Sequence, residues 1–229
     1  MQGINFFNIR LNPSDQLFLY KQIITGKSYM RATHNLFLKK KITMNKLTGD
    51  LGSGGKNDYN KFIFKDVNLI KSFDFYKTNN KTIKLNLEKD FNLKKYKLKN
   101  ILIFNVFEHI FEKEILLNSI SKSLNKNGKL EIFVPFMYKY HDDPNDYYRF
   151  THTYLKKFLE KNGFKVKITL IGAGQFNVIL EILFKYFKLD ILKIIISPIF
   201  ITLNNIFHFA SKDFKNYYCG IHCSCIKIK

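Results

Sequence analysis

The chain has 229 residues, three cysteines and a formal net charge of +20. That length suits one α/β domain with extra helices and excludes a disulfide-stapled miniature fold. The charge alone does not establish nucleic-acid binding: three of the 38 basic residues are arginines (Arg10, Arg31, Arg149), and the lysines are spread along the whole chain as a solvated basic surface.

In chain order, Asn12-Pro13-Ser14-Asp15 reads as a helix start, with a helix through much of 16–38 that Gly26 breaks. Lys39-Lys40-Lys41 suits a helix C-terminus, where cations complement the dipole. A strand over 46–50 runs into a glycine turn, Asp50-Leu51-Gly52-Ser53-Gly54-Gly55. Further strands are expected at 69–73, ending at Asp74, at 82–85, and at 100–104, a continuous apolar run of the buried parallel kind. Leu116, Leu117, Ile120 and Leu124 share one face of a helix that Asn127-Gly128 stops. A strand at 129–134, a polar loop, a helix at about 153–161 and a strand at 165–171 follow, and a last strand covers 217–228. Strands alternating with helices imply a parallel sheet with right-handed crossovers. The apolar stretch 176–210 has a charge-free part, 194–210, that falls short of a bilayer span of ~20 residues and contains Pro198. A pair of helices, packed on the domain or lying on a membrane surface, is expected there.

Chemistry gathers where these elements meet loops. Glycines after a buried strand let backbone approach a ligand closely. A dinucleotide site would carry a third glycine at position 57, which is Asn57. Asp74 lies twenty residues past Gly54 at a strand end, where a carboxylate can accept ribose hydroxyls. The Cys219, Cys223, Cys225 cluster matches no familiar zinc spacing, His222 would face away from it in a strand, and packing thiols are expected. No metal site is expected anywhere.

The D-x-G-x-G turn resembles the S-adenosylmethionine (SAM) turn of class I methyltransferases. Asn86-Leu87-Glu88 resembles the acidic segment that in such enzymes contacts the adenine amino group, with Asn86 in the acid's place, still able to accept a hydrogen bond. Asn105-Val106-Phe107-Glu108-His109-Ile110 resembles a signature of the family that includes quinone O-methyltransferases. The most distinctive stretch holds His141, Pro144, Asp146, Tyr147, Arg149, Phe150 and Thr151 in order, and resembles a loop of bacterial methyltransferases encoded among surface-polysaccharide genes.

The resemblance covers about 46–164 and implies a Rossmann-like sheet of seven strands, mostly parallel, with helices on both faces, an antiparallel last strand and a helical insertion before it. It divides one domain into an N-terminal helical extension (1–44), a SAM-binding core (45–174), an apolar helical insertion (175–212) and the last strand (213–229). SAM is the implied cofactor, with Asp50, Gly52, Ser53, Gly54, Asp74, Asn86, Leu87 and Asn105 binding it. His141 is the candidate base, with His109 in reserve, and Asp146, Tyr147 and Arg149 are candidate substrate contacts. The expected partner is a small-molecule or glycan acceptor methylated on oxygen, with no specific nucleic acid. Alternatives are a quinone or lipid acceptor, a non-catalytic SAM-binding protein and an RNA methyltransferase. Nothing opens the chain as a signal peptide, so a cytoplasmic protein with peripheral contact at the inner membrane face is expected.

Overall fold

The computed structural model describes residues 4–54, 58–76, 79–210 and 212–228. Gly55 of the glycine turn and Asn57 lie outside the described residues. Eight strands are present: β1 (Ile4–Phe7), β2 (Thr48–Leu51), β3 (Ile70–Asp74), β4 (Ile83–Lys84), β5 (Asn100–Phe104), β6 (Lys129–Pro135), β7 (Phe164–Ala173) and β8 (Tyr218–Lys227). The α-helices are α1 (Pro13–Ile24), α2 (Tyr29–Lys41), α3 (Asn60–Ile63), α4 (Lys113–Ser123), α5 (His152–Lys161), α6 (Gln175–Tyr186) and α7 (Asp190–Ala210). The strand order is β1-β7-β8-β6-β5-β2-β3-β4, mostly parallel with β7 and β8 antiparallel. The sequence reading gave seven strands. The eighth, β1, is a four-residue edge strand with no alternating pattern to announce it.

The chain forms two compact units. One comprises Met1–Ile42, Phe136–Lys139 and Thr169–Ile221; the other comprises Thr43–Pro135, Tyr140–Ile168 and His222–Lys229.

The second unit holds the parallel strands β2 to β6. β2 pairs in parallel with β3 on one side and β5 on the other, β3 with β4, and β5 with β6. Every residue of β2 and β5 is buried, which is why β5 reads as an unbroken apolar run. Parallel strands place their carboxyl ends together, so Gly52, Asp74, Asn86 and Asn105 all emerge at one edge. On β8, His222 Nε2 lies 2.9 Å from Glu131 Oε2, both buried, so His222 pairs with a carboxylate and not with the cysteines. All three thiols are buried and free.

The other unit is mostly helical. The expected N-terminal helix is broken at Gly26 into two. Asn12 caps α1, its side chain accepting from the Asp15 N–H, and Ser28 caps α2 through the Arg31 N–H. Gly26, at φ 74°, turns the chain between them. In the apolar segment α6 packs against α7, and Phe176 meets Phe200 and Phe207. The expected break at Pro198 does not occur: α7 continues through it for 21 residues. A proline removes one helix hydrogen bond, and nearby hydroxyls bond to backbone carbonyls around it, Ser197 to Lys193 and Thr202 to Pro198. By length and composition α7 is therefore apolar enough to cross a membrane, with mean hydropathy 1.5 over Asp190–His208 and 17% of that window buried.

The root of this helical pair is polar. The Ala173 carbonyl accepts from the side-chain amides of Asn8 (3.0 Å), Asn177 (2.8 Å) and Asn204 (3.1 Å), and the Ala173 N–H donates to Asn8 Oδ1 at 2.7 Å. Gly174 follows at φ 106°, where a Cβ would sit 2.0 Å from Asn204 Oδ1.

Candidate functional site

A cavity of about 490 Å³ opens at the carboxyl edge of the parallel strands in the second unit. One wall is the glycine turn. Gly52 and Ser53 donate their N–H groups to the Phe73 carbonyl at 2.8 and 3.2 Å, tying the turn to the end of β3. Gly52 has φ 72°, and a Cβ there would lie 2.4 Å from Val106 Cγ2. Gly54 has φ 56°, with nothing among the described residues within 4 Å of a notional Cβ. The sequence thus places glycine where the chain must turn left-handed, and the second glycine leaves the cavity empty beside its backbone.

Asp74 closes this turn. Its Oδ2 accepts the Gly54 N–H at 2.7 Å and its Oδ1 accepts the Tyr76 N–H at 3.0 Å. Asn86, Leu87, Asn105 and Val106 complete the floor. The Asn86 side-chain Oδ1 accepts the Glu88 N–H at 2.9 Å, and Asn105 adopts φ 54° as it leaves β5.

Two residues expected to bind cofactor lie behind the wall. Asp50 is fully buried and accepts the Tyr59 hydroxyl at 2.8 Å, and Ser53 is buried as well. Neither lines the cavity. Several lining residues were missed by the sequence reading: Phe75 and Tyr76, which are 49% and 59% exposed and pack edge to face, and Asp143, Pro144 and Asn145 from the long loop. Two exposed aromatics directly after the strand-end acid were the available signal.

The far end of the cavity holds the histidines. His109 lines it, and His141 stands beside His109 with ring centroids 4.9 Å apart. The 3₁₀ turn Phe107–His109 puts the buried Glu108 carboxylate between them: Oε1 is 3.7 Å from His109 Nε2 and 4.0 Å from His141 Nε2. His109 Nδ1 lies 2.6 Å from the Asn145 carbonyl oxygen, and His141 Nδ1 lies 3.3 Å from Asp146 Oδ2. The Glu108 carbonyl accepts the Tyr147 and Tyr148 N–H groups at 3.0 and 3.2 Å, so the loop is pinned to the residue whose carboxylate it surrounds.

The three expected substrate contacts each have partners within the protein. Arg149 forms a fork on Asp146, with both bonds at 2.5 Å, and Asp146 also accepts the His141 N–H at 2.9 Å. Burial opposes ionisation of Asp146, but the Arg149 bonds outweigh it and hold the carboxyl down at about 2. Arg149 therefore braces the loop in this structure where the sequence suggested a clamp on substrate. Tyr147, 43% exposed, packs edge to face on Phe111 and does not line the cavity.

No protein-family model matches the sequence, and comparison with curated proteins finds no match. Solved structures do resemble the fold. A SAM-dependent methyltransferase from Archaeoglobus fulgidus superposes with a TM-score of 0.54 at 16% identity, covering 92% of this chain and 99% of that one. Phosphoethanolamine N-methyltransferase 2 from Haemonchus contortus, in complex with SAM, gives 0.51 at 12% identity over 86% of this chain, which spans about half (52%) of that longer protein. The cyclase SpnF gives 0.51 at 8% identity, covering 88% of this chain and 84% of that one, so the architecture also serves other chemistry. The fold is that of the class I SAM-dependent methyltransferases.

Proposed function

We propose that the protein is a SAM-dependent methyltransferase acting on an oxygen of a small metabolite or glycan precursor. The observation that carries this reading is the cavity itself. A glycine turn with open space at Gly54, a strand-end carboxylate at Asp74 and the Asn86–Leu87 floor form a cradle of the size and polarity of an adenosyl group. When bound, SAM supplies an electrophilic methyl on its sulfonium. Asp74 would hold the ribose, Phe75 and Tyr76 would flank the adenosine, and the open side of the turn at Gly54 would admit the methionine end. His109 and His141 border the opposite end, where an acceptor hydroxyl gains nucleophilicity as its proton leaves. The oxygen–methyl bond forms as the carbon–sulfur bond breaks, the electron pair going to sulfur.

The chain contains no tryptophan, which supplies the assay. Tyr76→Trp puts a single indole at the cavity mouth, and its emission should change saturably with SAM and with S-adenosylhomocysteine. Adding Gly54→Arg, whose side chain would project into the open space, should abolish the change while the fold persists at a cost of about 1–2 kcal/mol for the left-handed residue. No saturable response, confirmed by calorimetry on the wild type, removes the reading. Labelled SAM with fractionated cell extract then identifies the acceptor class: glycan, lipid or RNA.

The exposed apolar face of α6 and α7 supports a second element, peripheral attachment to a membrane. Ile191, Ile195, Ile199 and Ile206 of α7 and Ile182 and Tyr186 of α6 are exposed, with Lys185 and Lys188 beside them. The opposite stripe of α7, Ser197, Ile201 and Asn204, is buried in its own unit, which favours lying on a bilayer over crossing it.

A further inference from the structure

We propose that Glu108, His109 and His141 form a binding site for one divalent transition-metal cation of the Zn²⁺ or Mn²⁺ kind, at the edge of the cofactor cavity, where it holds the acceptor's oxygen. One carboxylate oxygen and two imidazole nitrogens, one from each residue, lie within 4.8 Å of one another.

The hydrogen atoms decide what this cluster can be. A carbonyl oxygen only accepts, so the 2.6 Å contact with Asn145 puts the proton of neutral His109 on Nδ1. The Asp146 carboxylate beside His141 Nδ1, at 3.3 Å, does the same for the second ring. Both rings therefore turn the lone pair of Nε2 towards Glu108 Oε1. With both rings neutral, three lone-pair-bearing atoms face one another, a set that a cation can bridge.

The spacing agrees. At 3.7 and 4.0 Å the two nitrogen–oxygen separations exceed hydrogen-bond length, so a proton shared between ring and carboxylate does not account for them. Ligand bonds of about 2.0–2.2 Å around a tetrahedral ion place neighbouring donor atoms roughly 3.3 Å apart, so the two nitrogen–oxygen separations need close by about 0.4 and 0.7 Å. Metal-bound histidines characteristically donate their second N–H to a carbonyl or carboxylate, which fixes the ring and raises its basicity; here one histidine has each. Two imidazoles and one carboxylate select a borderline ion over Mg²⁺ or Ca²⁺, and three protein ligands leave a position for an exogenous oxygen.

This inference rests on the methyltransferase reading for its role. An acceptor hydroxyl held by the cation becomes more acidic and releases its proton to solvent. Its oxygen then forms the bond to the methyl carbon while the carbon–sulfur bond breaks, the pair remaining on sulfur. Charge balances: the sulfonium becomes a neutral thioether and the oxyanion a neutral ether.

The site is tested without any turnover. Tag-free wild-type protein, dialysed against chelator and then chelator-free buffer, is titrated calorimetrically with Zn²⁺ and with Mn²⁺, and Co²⁺ is added as a visible-absorption probe. One equivalent per chain is expected, with cobalt bands of a four- or five-coordinate site. His141→Ala and His109→Ala should each weaken binding at least tenfold, and Glu108→Gln should do the same if it folds. His152→Ala, outside the cluster, should leave stoichiometry and affinity unchanged. The absence of stoichiometric binding with all three ions, or binding that survives both histidine substitutions in folded protein, overturns the proposal. SAM binding read by the Tyr76→Trp reporter is scored separately. Failure of metal binding with intact SAM binding rejects the metal site alone; failure of SAM binding rejects the methyltransferase reading and leaves the metal result to stand or fall by itself.

Discussion

The Asp74 carboxylate and the Gly54 N–H lie 2.7 Å apart, so the acid at the end of β3 shapes the glycine turn before any ligand arrives. On the proposed reading, Asp74→Ala should weaken SAM binding twice over, by loss of the proposed ribose contact and by loosening of the turn. A charge-assisted hydrogen bond is worth about 1.5–3 kcal/mol, or roughly one to two decades in affinity. Asp74→Asn retains an acceptor for Gly54 and should lose less. Calorimetry on the two variants checks the order. Equal affinity for wild type and Asp74→Ala would take Asp74 out of the cofactor site.

Arg149 offers a sharper discrimination. If its fork on Asp146 braces the loop, Arg149→Ala leaves a buried carboxylate partly unpaired and should cost roughly 1–3 kcal/mol. The melting temperature should fall accordingly. A residue that clamps substrate would instead raise KM at constant melting temperature. That second pattern would return Arg149 to the substrate site.

Glu181 predicts a pH dependence in the helical unit. Burial raises its carboxyl to about 7, against the opposing pull of the Met30 N–H bond at 2.6 Å and of Ser28. Tyr29 and Cys219 feel its charge from neighbouring elements, and Lys27, Lys139, Lys185 and Lys193 line a second cavity together with Glu181. Because the folded value exceeds the unfolded one, the unfolded chain gives up this proton first as pH rises. The contribution is fully present below about 4.5 and is lost progressively up to about 7, by at most about 3 kcal/mol. Denaturant melts at pH 5 and pH 8 should show a smaller difference for Glu181→Gln than for wild type. Identical pH differences in the two proteins would contradict the assignment.

The apolar face of α6 and α7 makes a prediction about location. Binding to vesicles should require anionic lipid, and Ile195→Glu together with Ile199→Glu should abolish it without lowering the melting temperature, since both side chains are exposed. Carbonate or high-salt washing of membranes should release the wild type. Retention until detergent is added would favour a spanning α7.

Much of the cofactor cavity is legible from local chemistry. Gly52 and Gly54 sit at positive φ, where the residue type is dictated by the backbone, and Asp74 ends a strand whose apolar run is visible. The remaining wall depends on tertiary contact. Asp143, Pro144 and Asn145 reach the cavity only because the loop is pinned through the Glu108 carbonyl. The carboxylate of Glu108 is read in the sequence merely as part of a signature, since its aim follows from a single 3₁₀ turn. β1 escaped because an edge strand of four residues pairs far along the chain, and α7 was shortened because Pro198 was given its usual weight as a breaker.

The shared carbonyl of Ala173 has a consequence for how the apolar helices tolerate change. Three asparagine amides converge on one oxygen, so the loss of any single amide leaves the acceptor satisfied by the other two. Loss of the Asn204 amide should be mild, whereas Asn8 also accepts the Ala173 N–H and Asn177 the Tyr29 hydroxyl, so losing either strands a second buried group. Asn8, Asn177 and Asn204 thus form an anchor in which Asn204 can drift singly while Asn8 and Asn177 are held by their second bonds, and the outward apolar face varies under a separate constraint.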